Sequence, residues 1–182
     1  AMYIAVGKKQ GVSSNKLMGT LQNDILKEYV ARGTWIYPPE PSLQLIVDTI
    51  EYCSEHLPRF NPISITSCHY QDAGAAPLQA AAYFFADAVT YIGRTLERGL
   101  PIDSFASRLS SYHYTHNDFF EEIAKYRAMR RLWARMMKER FGARKDASCM
   151  FRFGTPCGGA SLTAAQPMNN VARVAYEALA SI

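Results

Sequence analysis

Four short strand-like runs, each separated from the next by at least one whole helix, constrain this chain more than any other feature. The runs are Leu17–Gln22, Pro62–Ser67, Phe105–Ser111 and Ser148–Phe153. Helical patterning covers Asp24–Ala31 and Ser42–His56 after the first run. It covers Ala75–Arg98 after the second, Asn117–Phe141 after the third and Pro167–Ser181 after the fourth. Strands with helices between them cannot form hairpins, so the pattern demands parallel pairing through crossovers. Four such units make half of an eight-fold barrel or most of a doubly wound sheet, and the alternation alone leaves both open. Ser42 after Pro41 is a plausible N-cap, and Asn117 or Asp118 another; Gly99 with Pro101, and Gly142, supply stop signals. No low-complexity stretch or linker interrupts residues 1–182, which predicts one domain.

Polar side chains gather near the expected strand ends, where parallel α/β proteins bind ligands. They are Thr20, Gln22 and Asn23, then His69, then Arg108 and Ser110, then Arg152 with Thr155. Any one of them is accounted for by the beginning of solvent; their coincidence at four strands points to a shared mouth. Arg32 follows Gln22 by ten residues across a short helix, which returns it to the same mouth and suits a polar ligand with an anionic group. His69, in SCHYQDAGA, either donates a hydrogen bond or proton to a carbonyl oxygen or caps loop backbone. His113 and His116 have metal-ligand spacing but no convincing third partner, so surface or capping roles are expected. In and just before the basic run KYRAMRRLWARMMKERFGARK, Ile123, Tyr126, Met129, Trp133, Met136 and Met137 recur near helical spacing, as in an outer helix with a solvated basic face.

Composition narrows the classes. A net charge of +4 over 182 residues is too small to imply nucleic acid, and no apolar run is long enough to span a membrane. Cys53, Cys68, Cys149 and Cys157 lack CxxC spacing, which predicts a reduced, cytoplasmic set. No secretory signal is visible, and both termini fall inside helical pattern, as if cut from a longer chain.

Five segments then carry a resemblance: GTLQNDILKEYVARGTWIYPPEPS, PRFNPISITSCHYQDAGA, ASRLSSY, NDFFEEIAKYRAMRRLWA and GGASLTAAQP with Asn169-Asn170. In order and over nearly the whole chain they resemble the adenosylcobalamin-dependent acyl-CoA mutases, methylmalonyl-CoA mutase large (catalytic) subunits above all. The resemblance implies a partial (β/α)8 TIM barrel, about four consecutive βα units of the substrate-binding barrel. It implies an isomerase that rearranges a dicarboxylic acyl-CoA by radical chemistry, with adenosylcobalamin (coenzyme B12) as cofactor. By this likeness Thr20, Leu21 and Gln22 bind the thioester, and Arg32 holds the substrate's free carboxylate. His69 hydrogen-bonds the thioester carbonyl. Arg59 and the Arg108, Leu109, Ser110 segment contact CoA, and Ala31 and Gly159 face the cobalamin. Isobutyryl-type mutases carry glutamine at the Arg32 position, so Arg32 points to a dicarboxylic substrate. The family's cobalt-ligating DxHxxG motif is absent, which implies a separate cobalamin-binding domain or small subunit as partner and a dimer or heterodimer when intact.

The chain departs from the family where Cys68 replaces tyrosine, and where Gly154, Thr155 and Pro156 stand in an HxQ segment. These departures motivate an alternative, a divergent or non-catalytic mutase-like subunit. A half barrel would also leave parallel edges open, so the isolated piece is expected to be poorly soluble.

Overall fold

A computed structural model describes all of residues 1–182. Helix α1 (Met2–Lys9) leads to β1 (Gly19–Thr20), a π-helical turn (Glu28–Arg32) and α2 (Pro39–His56). Strands β2 (Phe60–Asn61) and β3 (Ser64–Thr66) follow, then α3 (Cys68–Asp72) and α4 (Pro77–Glu97). The remainder is α5 (Ile102–Phe105), β4 (Ser110–Tyr112), α6 (Phe119–Arg135), α7 (Asp146–Cys149), β5 (Phe153–Gly154) and α8 (Asn170–Ser181).

All strand pairs are parallel, as whole-helix crossovers require. β1 lies on β2, with Gly19 opposite Phe60, and β3–β4–β5 form a second ladder, with Ser64 opposite Ser110 and Ser111 opposite Phe153. The two ladders are stretches of one layer. Leu21 N–H donates to Asn61 O at 3.1 Å, the Asn23 amide to Pro62 O at 3.2 Å, and Thr66 N–H to Asp24 Oδ2 at 2.9 Å. Segment 19–24 therefore runs beside 60–66, which runs beside 110–115, which runs beside 153–157. Each strand's spatial neighbour is its neighbour in sequence, with none of the order reversal of a doubly wound sheet.

The helices pack on this layer through one apolar cluster, with Ile63, Ile65, Phe84, Tyr91, Ile92, Phe105, Met129 and Trp133 at its centre. In α6 the buried Tyr126, Met129 and Trp133 recur at helical spacing, and Met137 continues the stripe beyond its end. Arg127, Arg131 and Arg135 point outward, as expected, whereas the Glu122 and Lys125 side chains are buried as an ion pair. Asp118 caps α6, accepting from Glu121 N–H at 3.4 Å.

Several expected boundaries are corrected. The expected strand Phe105–Ser111 is the end of α5, a 3₁₀ turn (Ala106–Arg108) and only then β4. Phe105, Ala106 and Leu109 bury themselves at helical rather than alternating spacing. The expected strand Ser148–Phe153 is likewise the end of α7 followed by a two-residue β5. The first strand shrinks from Leu17–Gln22 to Gly19–Thr20, and Leu17 packs under α1 against Gly7. Helix α2 starts three residues before Ser42, because Pro39 sits at the first helical position, where its fixed φ is pre-set and its missing N–H is no loss. Ser42 is buried inside that helix, its hydroxyl donating to Tyr37 O at 3.2 Å.

His113 is the largest single correction. Ser111, His113 and Thr115 are buried while Tyr112 is exposed, the period-two signature of an extended segment. His113 is 0% exposed, edge-on to Phe84 at 4.7 Å, with Nδ1 2.7 Å from Ser67 Oγ and Nε2 3.0 Å from Ser111 Oγ. The Ser111 hydroxyl donates to Arg152 O at 3.1 Å, so its oxygen accepts from Nε2–H and leaves Nδ1 to accept from Ser67. Burial, then the Lys125 charge, pushes His113 down to about 3. A histidine depressed in the folded state binds fewer protons folded than unfolded. Its contribution is therefore complete above its unfolded value of 6.5 and is lost as pH falls toward 3. Urea unfolding at pH 7 and pH 4 is expected to show that His113→Phe narrows the acid loss of stability by about 3 kcal/mol. An unchanged gap would place the acid sensitivity elsewhere.

Candidate functional site

At the carboxyl end of the strands a buried carboxylate organises two segments. Asp24 is 1% exposed and accepts from Tyr91 OH at 2.7 Å, Thr66 N–H at 2.9 Å and Lys27 N–H at 3.4 Å. Burial raises its pKa against the pull of those donors. From this anchor the chain winds into the π-helical turn and ends at Gly33, whose φ of 64° a side chain would strain. The turn presents Arg32, half-exposed, with Nη1 3.4 Å from Glu28 Oε1. Glu28 also accepts from Thr34 Oγ1 at 2.7 Å and lies 3.4 Å from Lys27 Nζ. Burial alone would raise Glu28, but Thr34, Lys27 and Arg32 together hold it below the usual carboxylate value.

Helix α3 packs directly against this turn and carries His69. Burial, then the charges of Lys27 and Arg32, lowers the His69 pKa, while Glu28 and Asp72 partly oppose them. The imidazole is therefore neutral at physiological pH. Its Nδ1 is buried with no hydrogen-bond partner. Cys68 beside it is buried, and burial pushes its thiol up to about 11, so the group at this position is small and uncharged.

At the amino end of the strands lies a cleft of about 550 Å³ lined by Thr20, Arg59, Asn61, Arg108 and Arg152, with only one hydrophobic side chain. Asn61 Nδ2 donates to Thr20 Oγ1 at 2.8 Å, and Arg152 Nη1 donates to Ser107 O at 2.7 Å. Arg59 is exposed. Arg108 is committed differently: its guanidinium donates to Cys53 O (2.8 Å), Leu57 O (3.2 Å), Ser54 Oγ (2.9 Å) and Ser104 O (2.9 Å). It thereby adds a charge-assisted second donor to carbonyls at the end of α2 that already accept from Leu57 N–H and Phe60 N–H.

The expected single mouth is thus resolved into two ends of one wall. Ser110 opens β4, level with Ser64, whereas His69 follows the far end of β3, on the order of 10 Å further along the strands. Arg108 and Arg152 precede their strands rather than follow them, because β4 and β5 begin later than the apolar pattern indicated. Gln22 lies between the two ends and lines a second cleft of about 660 Å³, with Glu28, Thr34, Trp35 and Tyr37. Leu21 is partly exposed beside it and Leu109 is buried in the core. Ala31 sits in the π-helical turn next to Arg32. Gly159 lies in a turn where an added methyl would meet nothing within 4 Å. Gly158, in contrast, is in van der Waals contact with the His116 ring, and a Cβ there would collide with it.

Sequence reasoning passed over the groups that hold these segments: Asp24, Asp87, Tyr70 and Tyr91. The available signal was Asp87, a lone carboxylate within PLQAAAYFFADAVTYIG.

The chain matches, over residues 1–182, the family described as methylmalonyl-CoA mutase. It is 46% identical over 182 residues to the 2-hydroxyisobutanoyl-CoA mutase large subunit of Aquincola tertiaricarbonis, covering all of this chain and 32% of that protein. It is 48% identical over 181 residues to the methylmalonyl-CoA mutase of Cereibacter sphaeroides and 46% over 182 residues to the mitochondrial methylmalonyl-CoA mutase of Homo sapiens, covering all of this chain and 25% and 24% of those proteins. The chain spans about a quarter to a third of the length of these relatives.

Two of the three arginines of the amino-end cleft, Arg108 and Arg59, are expected to separate in denaturant melts. Arg108→Met should cost about 2–4 kcal/mol through the lost charge-assisted bonds to α2, and Arg59→Met about 0.5 kcal/mol or less. Equal, small effects would show that Arg108 is not needed to close α2.

Proposed function

This chain belongs to the methylmalonyl-CoA mutase family, and from that premise we propose that it forms four βα units of a (β/α)8 substrate-binding barrel in an isomerase converting methylmalonyl-CoA to succinyl-CoA. The observation that carries the reading is the axial order of polar groups along the sequentially neighbouring parallel strands. Arg59, Arg108 and Arg152 line the amino end, Gln22 stands between, and His69 and Arg32 occupy the carboxyl end. Such an order fits a long ligand with phosphates at one end and a small acid-bearing acyl group at the other.

Arg32 pairs the substrate carboxylate through its planar fork, which matches two oxygens at once and stays charged. His69, neutral because it is half-buried among cations, donates one ring N–H to the thioester carbonyl and stabilises negative charge as it develops there. Thr20, Leu21 and Gln22 border the thioester. Arg59, Arg108 and Ser110 form the CoA-facing end, Arg108 chiefly by holding α2 and the 3₁₀ turn in place, while Leu109 is buried in the core and supports that end from beneath. Adenosylcobalamin, when bound, supplies the radical chemistry. Ala31 and Gly159 would face it, and an added methyl at Gly159 would meet nothing within 4 Å. A cobalamin-binding domain or small subunit completes the catalyst, in a dimeric or heterodimeric, cytoplasmic assembly; no helix is long and apolar enough to cross a membrane.

Cys68, Gly154 and Pro156 favour a second reading, a mutase-like subunit without turnover. Supplying the cobalamin-binding domain and measuring succinyl-CoA formation decides between them. In the same assay Arg32→Gln is expected to cut methylmalonyl-CoA turnover about 10²-fold, the scale of an unpaired desolvated charge, and to spare isobutyryl-CoA. Equal loss on both substrates would remove Arg32 from its assigned place.

A further inference from the structure

Helix α4 carries two polar groups one turn apart on its buried face, and each grips a different segment of the carboxyl-end site. Asp87 Oδ2 accepts from Tyr70 OH at 2.5 Å, and Tyr70, 2% exposed, is the residue after His69 in α3. Tyr91, 0% exposed, donates to Asp24 Oδ1 at 2.7 Å and accepts from Leu26 N–H at 3.0 Å, where the chain turns toward Arg32. Four residues along a helix are about 6 Å apart and do not stretch. The two grips are therefore held at a fixed separation by a rigid rod. All four side chains are buried, where hydrogen bonds are strong and slippage would strand a polar group. Burial, then the Asp24 charge, pushes Asp87 up to about 7, and the Tyr70 hydroxyl is what satisfies it.

We infer that Asp87 and Tyr91 are positioning residues, a two-point clamp that sets the spacing between His69 and Arg32 and so selects acyl groups whose carbonyl and carboxylate match it. The inference rests on the proposed roles of His69 and Arg32 as acyl ligands. Neither Asp87 nor Tyr91 touches the substrate; Tyr70 transmits one grip and Asp24 with Leu26 the other. A shift at either point moves one acyl ligand relative to the other while leaving the amino-end cleft untouched. The signature is thus loss of acyl recognition with CoA recognition intact.

The test is calorimetric titration of the intact, cobalamin-free protein with methylmalonyl-CoA and with free CoA. Tyr70→Phe and Tyr91→Phe, which remove only hydroxyls, are expected to weaken methylmalonyl-CoA about tenfold and leave CoA within about twofold. Because each acts through another residue, Tyr70→Phe should add nothing in a His69→Ala background, and Tyr91→Phe nothing in an Arg32→Gln background. Asp87→Asn, which still offers an oxygen to Tyr70, should bind as the parent does. The clamp is overturned if His69→Ala and Arg32→Gln weaken methylmalonyl-CoA while the Tyr→Phe variants do not. It is equally overturned if those variants weaken CoA to the same degree or add in full to the ligand variants. If His69→Ala and Arg32→Gln themselves change nothing, the functional reading fails first and takes the clamp with it.

Discussion

A buried carboxylate with every partner on a different element is the constraint that the carboxyl end of this structure depends on. Asp24 ties the end of the first strand segment to Thr66 at the end of β3, to Tyr91 on α4 and to the start of the turn that carries Arg32. An unpaired carboxylate in such a place would cost several kcal/mol, so each of these contacts is obligatory. The consequence is geometric. The layer, the long crossover helix and the segments bearing His69 and Arg32 are held in one arrangement.

The same logic operates at the opposite end of the strands with the sign reversed. There a cation, Arg108, is bound by backbone carbonyls at the terminus of α2 that it shares with backbone N–H donors, and it joins that helix to the turn before β4. Around it, Arg59 and Arg152 leave a cleft of one charge sign. Between the anionic knot and the cationic latch runs a parallel wall whose polar groups are graded along its length. A ligand bound lengthwise meets guanidinium groups first and a neutral imidazole last, a distribution suited to a polyanionic handle and a reactive acyl tip.

Much of this was legible beforehand, and the limits have physical causes. The alternation of strands and helices, the outer face of α6 and the segments bearing Arg32 and His69 could be read from periodicity and motif because neighbouring residues decide them. Strand boundaries could not. Phe105, Leu109, Cys149 and Phe151 are apolar in either conformation, and only packing against α2, α4 and α6 decides that the first three belong to turns and short helices. His113 was misplaced for a related reason. Its HYTH spacing imitates a helical pair of ligands, whereas the hydrogen-bonded ladder to 153–157 holds the segment extended and turns the ring inward between two serines.

Local pattern was sufficient to establish parallel pairing and the chemical character of the site, since helix-length gaps forbid hairpins and a guanidinium or imidazole keeps its chemistry wherever it is placed. Which of those groups share an end of the wall was decided by tertiary structure alone. Strand register, the point at which β4 and β5 begin, and the grip of α4 on α3 and on the turn before Arg32 depend on contacts between residues 17 to 67 positions apart. No window of sequence contains them, because the energy that selects them arises only when the buried polar groups find one another.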